Sequence, residues 1–442
     1  MDARQDSDNF PWDRSDECWE EAIKQVRLSS TCRRIESFAQ RLLGDTATLA
    51  LPLLIGGFNV LYPIRYKGSY DSDSSPMANY LVRLPCPNHT AFREEKTLAE
   101  AATTVFVSQR TQLPVPTLHS SGVDLAIGPF IILQDLGTLR GMGEALEALR
   151  EDPSDTPILN PNIFESKFKS LYRHIAACLL QLAQPTFPCI GALVETESGS
   201  FSVPGRPITL NVKYEDDCKT KYVAHQLFRR LAKQGRLSKF EFADDTCSAS
   251  SEQTRTNLPA PDISASFHLW SDDFRPNNIL ISENDEILGA IDWEFTYAAP
   301  TQFSLDPPWW LLLDVPEMWD AGIDDWATLY ERRLQTWLSA LVEAEQDMAR
   351  ARRFWLNYAA RKSWAFDKIY WKYLDERFFG EREKDTPTAS ELWKTRIHLL
   401  TPEERSAMER MVQRKTEEAK FRVLVKWEDV EARELLSSFL FD

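Results

Sequence analysis

The chain has 442 residues, too many for one small core and suited to one large two-lobed domain or two ordinary ones. Apolar residues make up 43% of it and aromatics 11%, which excludes wholesale disorder. A net charge of −16 excludes the basic surface that nucleic-acid binding needs; the acidity either only solvates the surface or also suits a cationic small substrate.

The first residues, MDARQDSDNFPWD, are acidic and lack an apolar core, so no targeting signal is expected there. Trp19, Ala22, Ile23 and Val26 then share one helical face, as do Ile35, Phe38, Ala39 and Leu42 with Gly44 as a stop, so two short helices are predicted at the front. Over 46–66, apolar and β-branched residues flank Gly56-Gly57-Phe58-Asn59, the pattern of two strands joined at a glycine turn. A polar loop at 71–75, a strand at Tyr80–Leu84, a helix over about 91–109 and a strand at Pro129–Leu133 follow. Phe164, Phe168, Leu171, Ile175, Leu179 and Leu182 mark a strongly amphipathic helix. Residues 241–262, rich in Asp, Ser, Thr and Pro, form a predicted surface loop, and the remainder after about 315 is helical with Trp-rich apolar faces.

No run approaches the roughly 20 apolar residues of a membrane span, so no membrane partner is expected. Seven scattered Cys without a CxxC pair suggest neither a disulfide framework nor a zinc site; a reducing, cytoplasmic setting is expected. The oligomeric state is not readable.

The chemistry concentrates in Phe267–Glu294. Asp273-Phe274-Arg275-Pro276-Asn277-Asn278 is followed by a strand, Ile279–Ile281, a turn at 283–286, and a second strand over Ile287–Ile291 that delivers Asp292. The hairpin returns Asn278 and Asp292 to the same end, where an amide oxygen and a carboxylate could hold Mg²⁺ on the phosphates of ATP. Asp273 is placed to accept a hydroxyl proton and aim the nucleophile. Asp272 with Asn277 has the same five-residue spacing, but an apolar residue after the Asp and a Pro three after it select Asp273 with Asn278.

These residues resemble the catalytic loop and metal-binding hairpin of the aminoglycoside phosphotransferase/choline kinase-like family, and DDFRPNNILI…GAIDWEFTYAAPTQFSLDPPWWLL resembles its fungal phosphotransferase branch. The likeness runs from about residue 50 to about 380, ending in the stretch RKSWAFDKIYWKYLDERFFG at 361–380. It implies an α+β, protein kinase-like bilobal fold: an N-terminal helical extension (1–45), a small antiparallel N-lobe (46–135) and a helical C-lobe (136–442) carrying the hairpin 267–294. It implies an ATP- and Mg²⁺-dependent phosphotransferase acting on a hydroxyl of a small molecule. Gly56, Gly57, Phe58 and Asn59 would be the nucleotide loop, and Arg83 the phosphate-binding cation paired with Glu100. Gln134, Asp135 and Leu136 would be the hinge, and Asp306 an acid supporting the catalytic loop.

The chain departs from the family pattern at several points, among them Trp293-Glu294 rather than Phe-Gly after Asp292, which fits small-molecule kinases better than protein kinases, and the lack of a long activation segment ending in Ala-Pro-Glu. Ser271 stands where a loop-bracing His is usual, and the glycine loop holds only two glycines. A catalytically silent scaffold therefore stays open, as does phosphorylation that activates a hydroxyl or carboxylate for a later step. Trp309 and Trp310 are read as core, and His268 as a strand residue rather than a catalytic one.

Overall fold

The computed structural model describes residues 10–66, 78–87, 92–137, 139–150, 157–197, 199–207, 218–240, 242–246, 248–249, 260, 267–304, 306–344, 354–362, 365–382 and 391–421. Residues 1–9, the polar loop expected at 71–75 and most of the loop expected at 241–262 lie outside them.

Two helices, α1 (Phe10–Val26) and α2 (Ser29–Leu43), open the chain. The α2 face that the spacing predicts turns inward at Ile35, Phe38 and Ala39, while Leu42 stays exposed. Gly44 ends the helix at φ +117°, and Tyr66 lies 3.3 Å from where a Cβ would stand, so both backbone conformation and space favour glycine.

An antiparallel sheet follows. Strands β1 (Thr48–Leu49) and β2 (Leu54–Ile55) both pair with β3 (Asn59–Tyr66), one towards each end of it. Then come β4 (Ala78–Pro85), helix α3 (Arg93–Arg110), β5 (Leu118–Asp124) and β6 (Gly128–Gln134), in the sheet order β1-β3-β4-β6-β5. The strand β5 was not among the expected elements. Alternation assigns the two faces. Val60, Tyr62, Ile64, Val82, Phe130 and Ile132 pack with Ile35, Phe38 and Val26 of the front helices, so those helices share the sheet's core. Arg83, next to Val82 in β4, points to the opposite face, over which α3 lies.

After the sheet the chain becomes mainly helical. The short β7 (Arg140–Gly141) pairs with the strand Ile279–Ile281, so the segment leaving the sheet runs directly beside the hairpin of residues 279–290. A turn of helix, α4 (Met142–Leu146), leads to α5 (Glu165–Leu182), the expected amphipathic helix. A short β8 (Thr186–Phe187) and a hairpin, β9 (Ala192–Glu197) and β10 (Ser200–Gly205), precede α6 (Cys218–Lys233); neither the hairpin nor α6 was expected. Helix α7 (Ile323–Ala344) packs along α5. Trp310 and Trp337 meet Tyr172 at their junction, with ring centroids 6.2 and 5.7 Å from it, in one core that also takes in Trp326 and α8 (Phe354–Arg361). Phe106 and Val107 of α3 belong to that core, so α3 touches both parts of the molecule.

Candidate active site

The hairpin forms as the spacing predicts. Strand β11 (Phe267–Ser271) enters a tight loop, a single 3₁₀ turn spans Pro276–Asn278, and β12 (Ile279–Ile281) pairs with β13 (Ile287–Ala290). The turn between them closes through Ser282 N–H donating to Glu286 O at 2.9 Å. The second strand ends one residue earlier than expected. The Ile291 amide donates to Asn278 O at 2.9 Å and fastens the two ends together. Asp292 then adopts φ +66°, left-handed backbone that costs a non-glycine residue about 1–2 kcal/mol. Trp293 stacks on Phe274 with ring centroids 5.6 Å apart and holds the loop beyond it against the catalytic loop.

The two competing acids have different surroundings. Asp272 is sealed in, its side chain 1% exposed. Its Oδ2 accepts from Lys362 Nζ at 2.8 Å, and Arg361 lies 3.9 Å from Oδ1. Arg361 in turn binds Asp306 at 2.9 Å, and Asn357 donates to the same carboxylate at 2.8 Å. Arg361 thus stands between Asp306 and Asp272. Asp273 keeps an opening, with its side chain 15% exposed. Asn278 Nδ2 donates to its carbonyl at 2.8 Å and its carboxylate at 3.2 Å, and Arg275 Nε lies 2.9 Å from Oδ1. Burial pushes the Asp273 carboxyl up to about 6, and Asp292 and Glu294 push the same way against Arg275. Asn277 lies against α4, where a Cβ on Gly143 would come within 1.6 Å of its Oδ1, so this amide is committed to packing.

Among the described residues no histidine braces the loop, and the Ser271 hydroxyl is buried without a hydrogen-bond partner. Two indoles brace it instead. Trp309 Nε1 donates to Asp272 O at 3.4 Å and Trp310 Nε1 to Phe274 O at 2.8 Å. Both rings are buried, as expected for core residues. His268 sits on β11 with Nδ1 3.3 Å from Pro185 O, an ordinary strand position.

Across the cleft, Arg83 gathers three carboxylates. Its Nε lies 2.9 Å from Glu100 of α3, and its Nη2 lies 2.5 Å from Asp292 and 3.8 Å from Glu294. Burial works against the guanidinium charge, but the three acids more than offset it and raise its pKa. For Asp292, burial pushes up, while the charge and hydrogen bond of Arg83 prevail and hold the carboxyl below its ordinary value. One turn before Glu100, Lys96 is buried. It pairs with Glu294 and donates to Asn59 Oδ1 at 3.0 Å, while Asn59 Nδ2 donates to Glu294 at 2.8 Å. Nothing in the sequence reading singled out Lys96 or Glu294. Their partners lie in distant parts of the chain, and the signal in the sequence was limited to Glu294 following Asp292 by two residues.

The glycine turn makes the expected hairpin, with Gly56 N–H donating to Asn59 O at 2.9 Å. A Cβ on Gly57 would meet nothing within 4 Å, so the turn's outer side is open. Phe58 packs edge-on against Phe295 at 5.3 Å, and Asn59 points inward to Lys96 and Glu294. In the hinge segment, the Gln134 and Asp135 amides donate to Thr117 and Asn79, and Leu136 packs over Gly289 of the hairpin.

For a divalent cation, Asn278 supplies an amide oxygen and Asp292 a carboxylate. That hard-oxygen pair suits Mg²⁺ only with phosphates and water completing the shell. No group of three or more His, Cys, Asp or Glu among the described residues could hold a metal by itself. The donor set therefore fits Mg²⁺ carried in with a nucleotide. Among the described residues no helix is long and apolar enough to cross a membrane.

No family model and no curated protein matches the chain. It is similar to solved structures of phosphotransferases that act on antibiotics. A macrolide 2'-phosphotransferase type I is 12% identical with a TM-score of 0.41, over 79% of this chain and 96% of that one. An APH(2")-type enzyme solved with GDP and kanamycin is 12% identical with a TM-score of 0.37, over 76% and 89%. An aminoglycoside phosphotransferase, APH(4)-Ia, in ternary complex with AMP-PNP and hygromycin B is 14% identical with a TM-score of 0.35, over 82% and 98%.

Proposed function

We propose that the protein is an ATP- and Mg²⁺-dependent phosphotransferase that moves the γ-phosphate of ATP to a hydroxyl of a small molecule. The observation that carries this reading is the meeting of Asp273, Asn278 and Asp292 at one end of the hairpin, opposite an arginine held by Glu100. Residues 46–135 would act as the nucleotide-covering lobe and 136–442 as the lobe that presents the hairpin. The purine would lie against Gln134–Leu136. Since the Gln134 and Asp135 amides are already used within the sheet, its contacts fall to the carbonyls and to the Leu136 amide.

Phosphoryl transfer needs positioning and charge neutralisation more than covalent chemistry from the protein. Gly56–Asn59 would lie over the phosphates, with Gly57's open side admitting them closely. Arg83 would carry its charge to the phosphates while Glu100 keeps its stem in place. Asn278 and Asp292 would hold Mg²⁺, which when bound neutralises the phosphate charge. Asp273, its carboxyl raised towards 6 by burial, would accept the proton of the acceptor hydroxyl and align its oxygen. Asn278 Nδ2 keeps that carboxylate in place.

The test is to screen metabolites for ATP consumption, with mass spectrometry of the product. Turnover that disappears in Asp273→Ala while nucleotide binding persists supports the reading. A second reading, a silent kinase-like scaffold, is favoured by the unpartnered Ser271 hydroxyl. It predicts nucleotide binding without turnover on any acceptor, and an ATP turnover abolished by Asp292→Ala would rule it out.

A further inference from the structure

We propose that Lys96 and Glu294 are positioning residues that set the Asp292 carboxylate for its metal, a role that rests on the phosphotransferase reading. Glu294 follows Asp292 by two residues, and its carboxylate is buried against Lys96 of α3 and the Asn59 amide beside the glycine turn. Three separate segments, the glycine turn, α3 and the loop after the hairpin, are thereby fixed to one carboxylate. Asp292 between them stands in left-handed backbone, sparsely populated outside glycine although aspartate and asparagine reach it more often than most residues. Its conformation is held from both sides, by Ile291 N–H on Asn278 O before it and by Glu294 after it.

The charges point the same way. Arg83, Lys96 and Arg275 face Glu100, Asp292, Glu294 and Asp273, the last tied to the hairpin by Asn278. Three cations stand against four carboxylates, so the cluster keeps a net negative charge that favours a bound cation. Lys96 takes up Glu294, and so leaves Arg83 shared between Glu100 and Asp292 rather than drawn fully to Glu294, from which it stands 3.8 Å. Lys96 itself is sealed behind Asn59 and is not a phosphate ligand in this arrangement. Partners behind a metal ligand typically change metal affinity by about 10–100-fold when removed.

The test measures nucleotide affinity with and without Mg²⁺ on the full chain, Lys96→Met, Glu294→Leu and the double variant. It adds amide exchange over 291–295 in the ligand-free protein. The expected result is a fall of about ten-fold or more in the ratio of affinities with and without Mg²⁺ in each single variant. In the double variant the apolar pair recovers unfolding temperature, since replacing a buried ion pair by apolar groups is often neutral. The affinity ratio stays low there, and exchange at the Ile291 amide is faster than in the unsubstituted chain. A double variant that folds with an unchanged ratio and unchanged exchange overturns the proposal, because a purely structural pair would give that result. If the unsubstituted chain binds no nucleotide at all, the phosphotransferase reading fails first and this role with it. If it binds and only the ratio is insensitive, the positioning role alone is lost.

Discussion

Arg83 and Asp292, 209 residues apart in the chain, meet with Nη2 2.5 Å from Oδ1. The contact joins the sheet to the hairpin through the carboxylate proposed to hold the metal. Nucleotide binding would therefore redistribute Arg83 between Asp292 and the phosphates. A guanidinium can reach Glu100 through Nε and Asp292 through Nη2 at once, whereas an ammonium offers a single point of charge. Arg83→Lys is expected to fold and to lose about ten-fold in Mg-nucleotide affinity, and Arg83→Met is expected to cost about 3–5 kcal/mol of stability by stranding buried carboxylates. Nucleotide titration and chemical unfolding check the two parts.

Asp273 gives the pH dependence its sign. Its carboxyl is raised by burial to about 6, and the base is competent only when ionised. The rate constant kcat/KM is therefore expected to rise with pH through an apparent pKa near 6 and to flatten above it. Arg275, 2.9 Å away, favours the ionised form, so Arg275→Ala should move the acid limb to higher pH. A limb that stays in place in Arg275→Ala, or that lies near 4 in the unsubstituted chain, would detach Asp273 from the proton-transfer step.

The hairpin was legible because its instructions are local. Phe274, Pro276 and the turn residues 283–286 fix the register within one stretch, and the structure returns Asn278 and Asp292 to the same end. Asp272 is sealed against Lys362, 2.8 Å away and 90 residues on in the chain, while Asp273 keeps an opening, a difference that no local residue dictates. Strand β5, Leu-His-Ser-Ser-Gly-Val-Asp, escaped notice because small and polar residues replace the usual β-branched run. Helix α6 carries Val223, Leu227 and Leu231 at four-residue spacing, a signal that was present and passed over. Lys96 stands in the charged run Arg-Glu-Glu-Lys, which looks like a solvated helix start. Only the tertiary arrangement buries it, and one sequence has no local term that distinguishes the two cases.

The bracing of the loop by Trp310 can be tested directly. Trp310→Phe keeps most of the ring but deletes the 2.8 Å hydrogen bond to the Phe274 carbonyl, leaving that buried acceptor unpaired. The expected cost is about 1–3 kcal/mol of stability, together with a fall in turnover that exceeds any change in nucleotide affinity. Unfolding in denaturant and steady-state kinetics measure the two effects. Equal, small changes in both would mean that the loop is braced elsewhere.

Gly143 tests the assignment of Asn277 to packing. A Cβ there would overlap Asn277 Oδ1 at 1.6 Å, so Gly143→Ala must displace the side chain and the loop that bears it. The expected loss is about 1–3 kcal/mol, recovered largely by adding Asn277→Ala, which removes the obstructing amide. Additive losses in the double variant would show that the strain arises from the backbone rather than from Asn277.

Glu317 is a half-buried acid, hydrogen-bonded by the Tyr358 hydroxyl at 2.9 Å and pushed by desolvation up to about 7. The folded state retains a proton that the unfolded chain releases at lower pH. Its contribution is thus fully present below the ordinary glutamate range and is lost as pH rises through about 7. Glu317→Gln should flatten the dependence of unfolding temperature on pH across that window. An unchanged slope would place the titrating group elsewhere.

The most direct test of the central claim is thermal unfolding of the full chain with ATP alone, Mg²⁺ alone and both, repeated on Asp292→Ala. The account requires ATP with Mg²⁺ to raise the unfolding temperature well beyond either alone, and the gain from Mg²⁺ to vanish in Asp292→Ala. An unfolding temperature indifferent to ATP under every condition, or a Mg²⁺-dependent gain that survives the loss of Asp292, would contradict it.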